Sequence, residues 1–210
     1  MFGPLHFFDY QNFEHKDLFD TSENVWDIVK NLPQYISNLF ESGKIVGNYA
    51  KNVYVGQNVT IDPTAKIVGP AIIGDNCIID FGAYLRENVI IGAGSKIGHA
   101  SEIKNSVILG KTAIAHFNYV GDSVIGTSVN FGAGAKVANF RLDGKNIPIK
   151  HADKKIDTGL NKFGAAVGDN TKIGVNAVLN PGTVLGKNCV VFPLQSVSGV
   201  YVDGSKIHSS

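Results

Sequence analysis

From Val55 onward an aliphatic residue returns at every sixth position: Val55, Ile61, Ile67, Ile73, Ile79, Leu85, Ile91, Ile97, Ile103 and Leu109. A small residue, most often glycine, tends to follow. A fixed internal period predicts a solenoid, and a period of six is that of a hexapeptide β-helix, an all-β fold. Three hexads close one triangular turn, so residues eighteen apart lie above one another at one strand spacing, ~4.8 Å. Arg86 and Lys104 are eighteen apart, and each follows a repeat aliphatic, so they share a corner on adjacent turns. Stacked cations repel, and the pair therefore marks a place for an anion. Arginine offers a planar fork suited to phosphate, and lysine a point charge. The plainer reading is two solvated corner residues.

The rest of the chain divides around this repeat. Residues 1–20 are rich in aromatics (Phe2, Phe7, Phe8, Tyr10, Phe13, Phe19) and read as an irregular segment that packs on another element. Residues 22–42 carry apolar side chains at largely 3–4 spacing, from Val25 to Phe40, which predicts a helix. Asp20, Thr21 or Ser22 is placed to cap its start and Gly43 to end it, while Pro33 removes a donor inside it and predicts a kink or split. The expected organisation is an N-terminal aromatic segment and helix over 1–48, then a solenoid over 49–204.

Two irregularities interrupt the repeat. After Ala115 the step shortens to five at Val120 and Ile125, before Phe131 and Val137 restore six. A shortened step displaces corner side chains beside His116, although a harmless deletion has the same appearance. The hexads then fail over an insertion, residues 139–166, and resume at Val167, Ile173, Leu179, Leu185 and Val191. Ile147-Pro148-Ile149 and Lys155-Ile156 flank His151-Ala152-Asp153-Lys154 as in a hairpin. Insertions in solenoids gather on one face, often the binding face, and otherwise are solvated loops. Roughly seven turns result. The glycines fall at repeat corners, where they relieve the steric cost of positive φ.

The formal charge of +1 gives no support to a broad basic surface, so nucleic acid is not an expected partner. Cys77 and Cys189 stand two places before repeat aliphatics, a slot that elsewhere holds small residues. They are expected to be core fillers, with no disulfide or metal framework. The start, MFGPLHFFDY, lacks the basic and apolar regions of a secretory signal, and no stretch approaches the ~18 apolar residues of a membrane span. A soluble cytoplasmic protein is expected.

His116 follows Ala115 in the corner register, with Asn118 and Tyr119 close behind. A corner imidazole points outward, and its ordinary pKa near ~6.5 suits proton removal at neutral pH. In isolation such a histidine is more often an ordinary surface residue. A three-histidine zinc site is the rival, but His6, His15, His151 and His208 lie outside the regular repeat and no third ligand joins His99 and His116. The runs GAGSKIG and GAGAK keep the hexad register, so their glycines are corner residues rather than a nucleotide loop.

Taken together, the runs His116-Phe-Asn-Tyr119-Val-Gly121-Asp122, Asn130-Phe-Gly132-Ala133-Gly134, Asn139-Phe140 and Lys145 resemble the acetyltransferase half of bifunctional GlmU-type enzymes. Those enzymes acetylate glucosamine-1-phosphate with acetyl-CoA. The archaeal sugar-1-phosphate nucleotidyltransferase/acetyltransferase branch is more similar still, through Ala138-Asn139-Phe140-Arg141-Leu142-Asp143, a charged insertion, and Asn161-Lys162-Phe163-Gly164-Ala165. The similarity spans roughly residues 50–200.

The resemblance implies a left-handed parallel β-helix, assembled as a homotrimer with active sites between subunits. It implies Arg86 and Lys104 on the sugar phosphate, with Tyr119 and Asn130 holding the sugar. It makes His116 the general base, and Asn139 and Lys145 the residues that orient the amine and assist catalysis. Ala133, Asn139, Phe140, Val175 and Pro193 would line the acetyl-CoA groove, and no metal is required. Val175 aligns where the bacterial enzymes place a serine, so a backbone amide would have to serve the oxyanion there. No uridylyl-transfer signature occurs in residues 1–50, so nucleotidyltransferase activity is not expected. Two alternatives stay open: an acyltransferase acting on a nucleotide-linked amino sugar, and a non-catalytic trimeric scaffold.

Overall fold

The computed structural model describes residues 2–208. Parallel strands of two to four residues stack into three sheets of eight, eight and seven strands, called here faces A, B and C. Each turn of chain contributes one strand to each face in that order. Seven turns are complete and an eighth ends at Lys206–Ile207 on face B. The inward side chains form one dry core, in which Ile73, Ile79 and Leu85 of one turn lie against Ile91, Ile97 and Ile103 of the next.

The hexad series holds through Ile103 and then shifts by one. Ile108 and Ile114, not Leu109 and Ala115, enter the core, because Ile108 is the register partner of Ile91. Leu109 packs outside, against the N-terminal segment. The five-residue steps therefore run from Ile103 to Ile108 and from Val120 to Ile125, both at the corner between faces C and A. Every residue in Val107-Ile108-Leu109 is aliphatic, so periodicity alone does not choose among them.

Corner chemistry also differs from expectation. Left-handed backbone in the repeat falls to asparagine, at Asn58, Asn76, Asn88, Asn105, Asn170, Asn176 and Asn188, whose short polar side chain tolerates it, about as often as to glycine, as at Gly82, Gly94 and Gly134. Gly74 and Gly92 have ordinary φ. They are glycine because a Cβ would come within 2.8 Å of the Ala93 amide and 2.7 Å of the Gly110 amide on the next turn.

Face A is apolar on both sides. Its outward residues Tyr54, Ile72, Ile90, Val107, Val124, Ala166, Val184 and Val200 meet Phe2, Phe7, Phe8, Leu18, Phe19, Trp26, Ile28, Leu32 and Ile36. The covering layer is a 3-10 turn (Pro4–His6), helix α1 (Lys16–Asp20) and helix α2 (Val25–Glu41). Asn24 caps α2 in a capping box with Asp27, in place of Asp20, Thr21 or Ser22. Pro33 lies inside an unbroken α2. Buried Leu32 and Ile36 on either side of it hold the helix to face A, so packing outweighs the missing hydrogen bond. Asp169 fastens the first segment to the solenoid. Its carboxylate accepts the Asp9 amide at 2.7 Å and the Thr127 amide at 2.8 Å.

The insertion contains an antiparallel hairpin, Pro148–His151 with Lys154–Asp157. Ile147, Ile149 and Phe163 are buried in the same outer core as α2, and the His151 ring meets Phe2 edge-on at 5.8 Å. The hairpin is thus built onto the N-terminal layer. Cys77 and Cys189 are buried free thiols. Among the described residues no helix is long and apolar enough to cross a membrane.

His15 is buried beneath this layer, 3.2 Å from the Tyr35 hydroxyl, and burial lowers its pKa to about 4. The folded value lies below the unfolded one, so only the unfolded chain takes up the proton between pH ~6.5 and 4. Stability is expected to be full above pH ~6.5 and to fall by up to roughly 3 kcal/mol as the pH drops to 4, at 1.36 kcal/mol per unit. Urea melts of the wild type and His15→Gln across that range check this. Parallel stability curves for the two proteins would remove His15 as the cause.

Candidate active site

The corner between faces C and A gathers the first group. Arg86 follows Leu85, and Lys104 follows Ile103 one turn on, with the Arg86 amide donating to the Ile103 carbonyl at 2.8 Å. Together with Tyr119, Asn139, Phe140 and Lys162 they line a cleft of about 400 Å³. The two cations are not bare. The Arg86 guanidinium donates to Glu102 at 3.1 Å and lies 3.7 Å from Glu87, and Lys104 reaches Asp122 at 3.3 Å. Carboxylates thus already offset the repulsion expected from stacking. Lys162 forms no ion pair among the described residues.

Asp122 is the polar hub behind this cleft. It is buried and accepts from Lys104, from the Asn105 amide group at 2.9 Å, and from the Asn139 amide group. The Asn139 amide group also donates to the Tyr119 hydroxyl at 3.1 Å. Burial, then the charges of Asp122 and Glu102, push the Tyr119 phenol above its ordinary pKa, so it stays protonated. Asp122 was visible in the sequence only as part of a motif. Arg86, Lys104 and Asp122 continue one eighteen-residue step, and the same arithmetic that picked out the first two reaches the third.

The corner between faces B and C gathers the second group. His116 ends the strand Ala113–His116, its imidazole exposed and without a hydrogen-bonded partner among the described residues. Asn118, buried at the bend, fixes it from behind. The Asn118 carboxamide oxygen accepts the His116 amide at 2.9 Å, and its nitrogen donates to the Gly132 and Ala135 carbonyls. Above His116 the corner continues as a ladder: Gly134 amide to His116 carbonyl, Asn176 amide to Ala133 carbonyl, and Leu194 amide to Val175 carbonyl, each 2.9 Å. Ala133, Val175 and Pro193 therefore occupy one column with His116. Below it, His99 stacks on Phe81 at 5.1 Å and meets Phe117 edge-on at 4.7 Å.

Within one chain the two groups lie at opposite edges of face C, joined by Tyr119. Tyr119 is three positions on from His116, at most about 11 Å of extended chain. Asn130 stands on face B, exposed and paired with Ala113 and Lys172, outside both groups. Lys145 is exposed on the insertion, its amide 3.3 Å from Asp143, and does not line the Arg86 cleft. Phe140 belongs to that cleft, away from the Ala133 column with which the resemblance groups it. Among the described residues no three histidine, cysteine, aspartate or glutamate side chains gather as a metal site.

Comparison with known proteins gives the geometry a lineage. Residues 67–153 match the GMPPB C-terminal domain, and residues 164–192 match the hexapeptide repeat of succinyl-transferase. A protein named bifunctional GlmU from Methanococcus vannielii is 35% identical over 172 residues, 79% of this chain and 41% of that protein. A bifunctional sugar-1-phosphate nucleotidylyltransferase/acetyltransferase from Sulfurisphaera tokodaii is 36% identical over 174 residues, 80% of this chain and 43% of that protein. The chain thus spans about two-fifths of the length of these relatives. Among solved structures, a GDP-perosamine N-acetyltransferase from Caulobacter crescentus with CoA and GDP-perosamine is 21% identical, with a TM-score of 0.38, covering 73% of this chain and 52% of that one. On repeat, fold and sequence, the chain is a hexapeptide-repeat protein homologous to the acetyltransferase region of the GlmU-type bifunctional sugar-1-phosphate enzymes.

Proposed function

We propose that the chain transfers an acetyl group from acetyl-CoA to the amine of a hexosamine carrying a phosphate on its anomeric oxygen. The observation that carries this reading is the placement of His116. It sits at the foot of the Ala133–Val175–Pro193 column and at one edge of the face that ends in the Arg86–Lys104 cleft. Phosphate is held by Arg86 and Lys104, while Tyr119 and Asn139 orient the sugar. The amine then points across face C toward the imidazole. The amine reacts as the free base: its nitrogen attacks the thioester carbon, His116 takes the proton that nitrogen sheds as the N–C bond forms, and the C–S bond breaks. The proton passes to the departing sulfur. The backbone amide at Val175 serves the oxyanion in place of a serine hydroxyl.

We assign this chemistry to residues 49–204, with residues 1–48 as scaffold, and the working form to a closed homotrimer in the cytoplasm. Face A is filled by the chain's own N-terminal layer, so neighbours must use the remaining faces and corners. The B–C corner offers exposed Phe81, Phe117, Val175 and Leu194 for that purpose. A heterologous ring would set this corner of one subunit beside the Arg86 cleft of the next, where a neighbour's Asn130 and Lys145 can complete the sugar site.

Asp122 acts through Lys104 and Asn139 rather than on substrate. Removing one member of a partly buried pair strands the other charge. Asp122→Ala is expected to destabilise the fold by about 1–3 kcal/mol in urea melts and to raise KM for the sugar phosphate more than it lowers kcat. Lys104→Met added to it should recover part of the lost stability, and strictly additive losses would break the coupling. His116→Ala is expected to lower kcat by about 10²–10⁴-fold in a thiol-release assay with glucosamine-1-phosphate, leaving the trimer intact on sedimentation. Undiminished turnover in that variant would remove the base from the mechanism.

A further inference from the structure

A second cleft lies apart from the residues given roles in the reaction just described. It measures about 630 Å³ and lies where the insertion leans over the C–A corner of the later turns. One wall is Phe140, Arg141 and Leu142; the other is Pro181, Gly182, Ser198 and Gly199, with Pro148 and Lys150 of the hairpin closing the end. Phe140 lines this cleft and the Arg86–Lys104–Lys162 cleft alike, so the two adjoin at that ring.

Its chemistry is that of a site for a flat, polar-edged group attached to phosphate. Phe140 is half exposed and Leu142 fully so, an apolar lip left open among the described residues. The Arg141 guanidinium is held flat by two bonds to Asp143, at 2.8 and 2.6 Å, which spends its charge on the carboxylate and leaves its face for stacking. Lys150 inside the cleft and Lys162 at the shared border form no ion pair among the described residues, so they supply unspent positive charge. The walls are preformed: Ile147 and Ile149 are buried, Thr158 bonds the Ile147 carbonyl at 2.7 Å, and a Cβ on Gly182 would meet the Pro148 carbonyl at 2.7 Å. A sugar monophosphate needs only the smaller cleft. The two together suit a longer ligand, within the size range of small-molecule sites.

We infer that this cleft binds the nucleoside of a nucleoside diphosphate, whose phosphates reach the Lys162 border. Two molecules share that chemistry: the acyl donor, through its adenosine end, and a nucleotide-linked amino sugar. The inference deepens the proposed acetyl transfer and rests on it for the source of the nucleoside, but not for binding itself.

Ser198 is exposed on the wall and takes no part in the proposed catalysis, so Ser198→Trp fills the cleft without entering the core. Calorimetric titration of the full chain with ADP and UDP, with pyrophosphate as control, reads binding without turnover. The expected result is at least tenfold weaker nucleoside diphosphate binding in Ser198→Trp, with pyrophosphate unchanged and the thermal midpoint retained. Lys150→Ala should weaken the same ligands several-fold. In turnover assays, a tenfold higher KM for acetyl-CoA in Ser198→Trp assigns the nucleoside to the donor. A rise confined to a UDP-linked amino sugar, with the sugar 1-phosphate unaffected, assigns it to the acceptor. Equal binding of ADP and UDP by wild type and Ser198→Trp, or no binding by either, overturns the inference. Loss of turnover with binding intact would instead count against the acetyl transfer.

Discussion

Parallel backbone pairing between successive turns is the constraint on which the rest of this structure depends. Each strand finds its partner one turn away, so position along the sequence becomes height, and position within a hexad becomes direction. Arg86 and Lys104 are neighbours for that reason, as are His116, Ala133 and Val175, although their spacings differ. Arg86, Lys104, His116 and Tyr119 need no long loop to bring them together, whereas Asn139, Phe140 and Lys162 come from the insertion. The first four are held at the edges of short strands whose inward neighbours, Leu85, Ile103, Ile114 and Val120, are fully buried. A shift of register in any turn would carry a whole face of side chains from core to solvent.

The N-terminal layer solves a problem that this stacking creates. Face A presents aliphatic side chains outward as well as inward, and such a surface left bare would invite association. Phe8, Phe19, Trp26 and α2 cover it, and the same layer supports Ile147, Ile149 and Phe163 of the insertion. The insertion in turn carries Phe140 and Lys162 to the cleft, where the two residues form a bridge. A chain of packing therefore leads from the N-terminal layer to the cleft.

The solenoid, its insertion hairpin and the N-terminal helix were legible because each writes a period or a turn into the sequence. What was not legible follows from degeneracy. Val107-Ile108-Leu109 gives no reason to prefer one inward residue, so the first shortened step was placed two hexads late, while the step from Val120 to Ile125 was read correctly. Pro33 has an intrinsic effect that tertiary packing reversed. Of the site, the spacing of Arg86 and Lys104 and the motif around His116 were enough to place both groups at corners. Asp122 and Glu102 were missed as partners because a charged residue in a repeat looks solvated until its neighbour on the next turn is known, and Lys162 because it lies in the insertion, where the repeat gives no register.

Those partners alter how the cleft meets an anion. The Arg86–Glu102 pair is about one-third exposed, and pairs of that kind contribute at most about 1 kcal/mol. A phosphate can take the guanidinium from Glu102 at little cost. Lys104 and Asp122 are far more enclosed, at 14% and 4% exposure, so this pair is screened less by solvent and holds the ammonium in place at the cleft. Glu87 and Glu102 beside Arg86, and Asp122 beside Lys104, thus balance the cations of the cleft, and the half-buried Glu102 is the carboxylate held less firmly than Asp122.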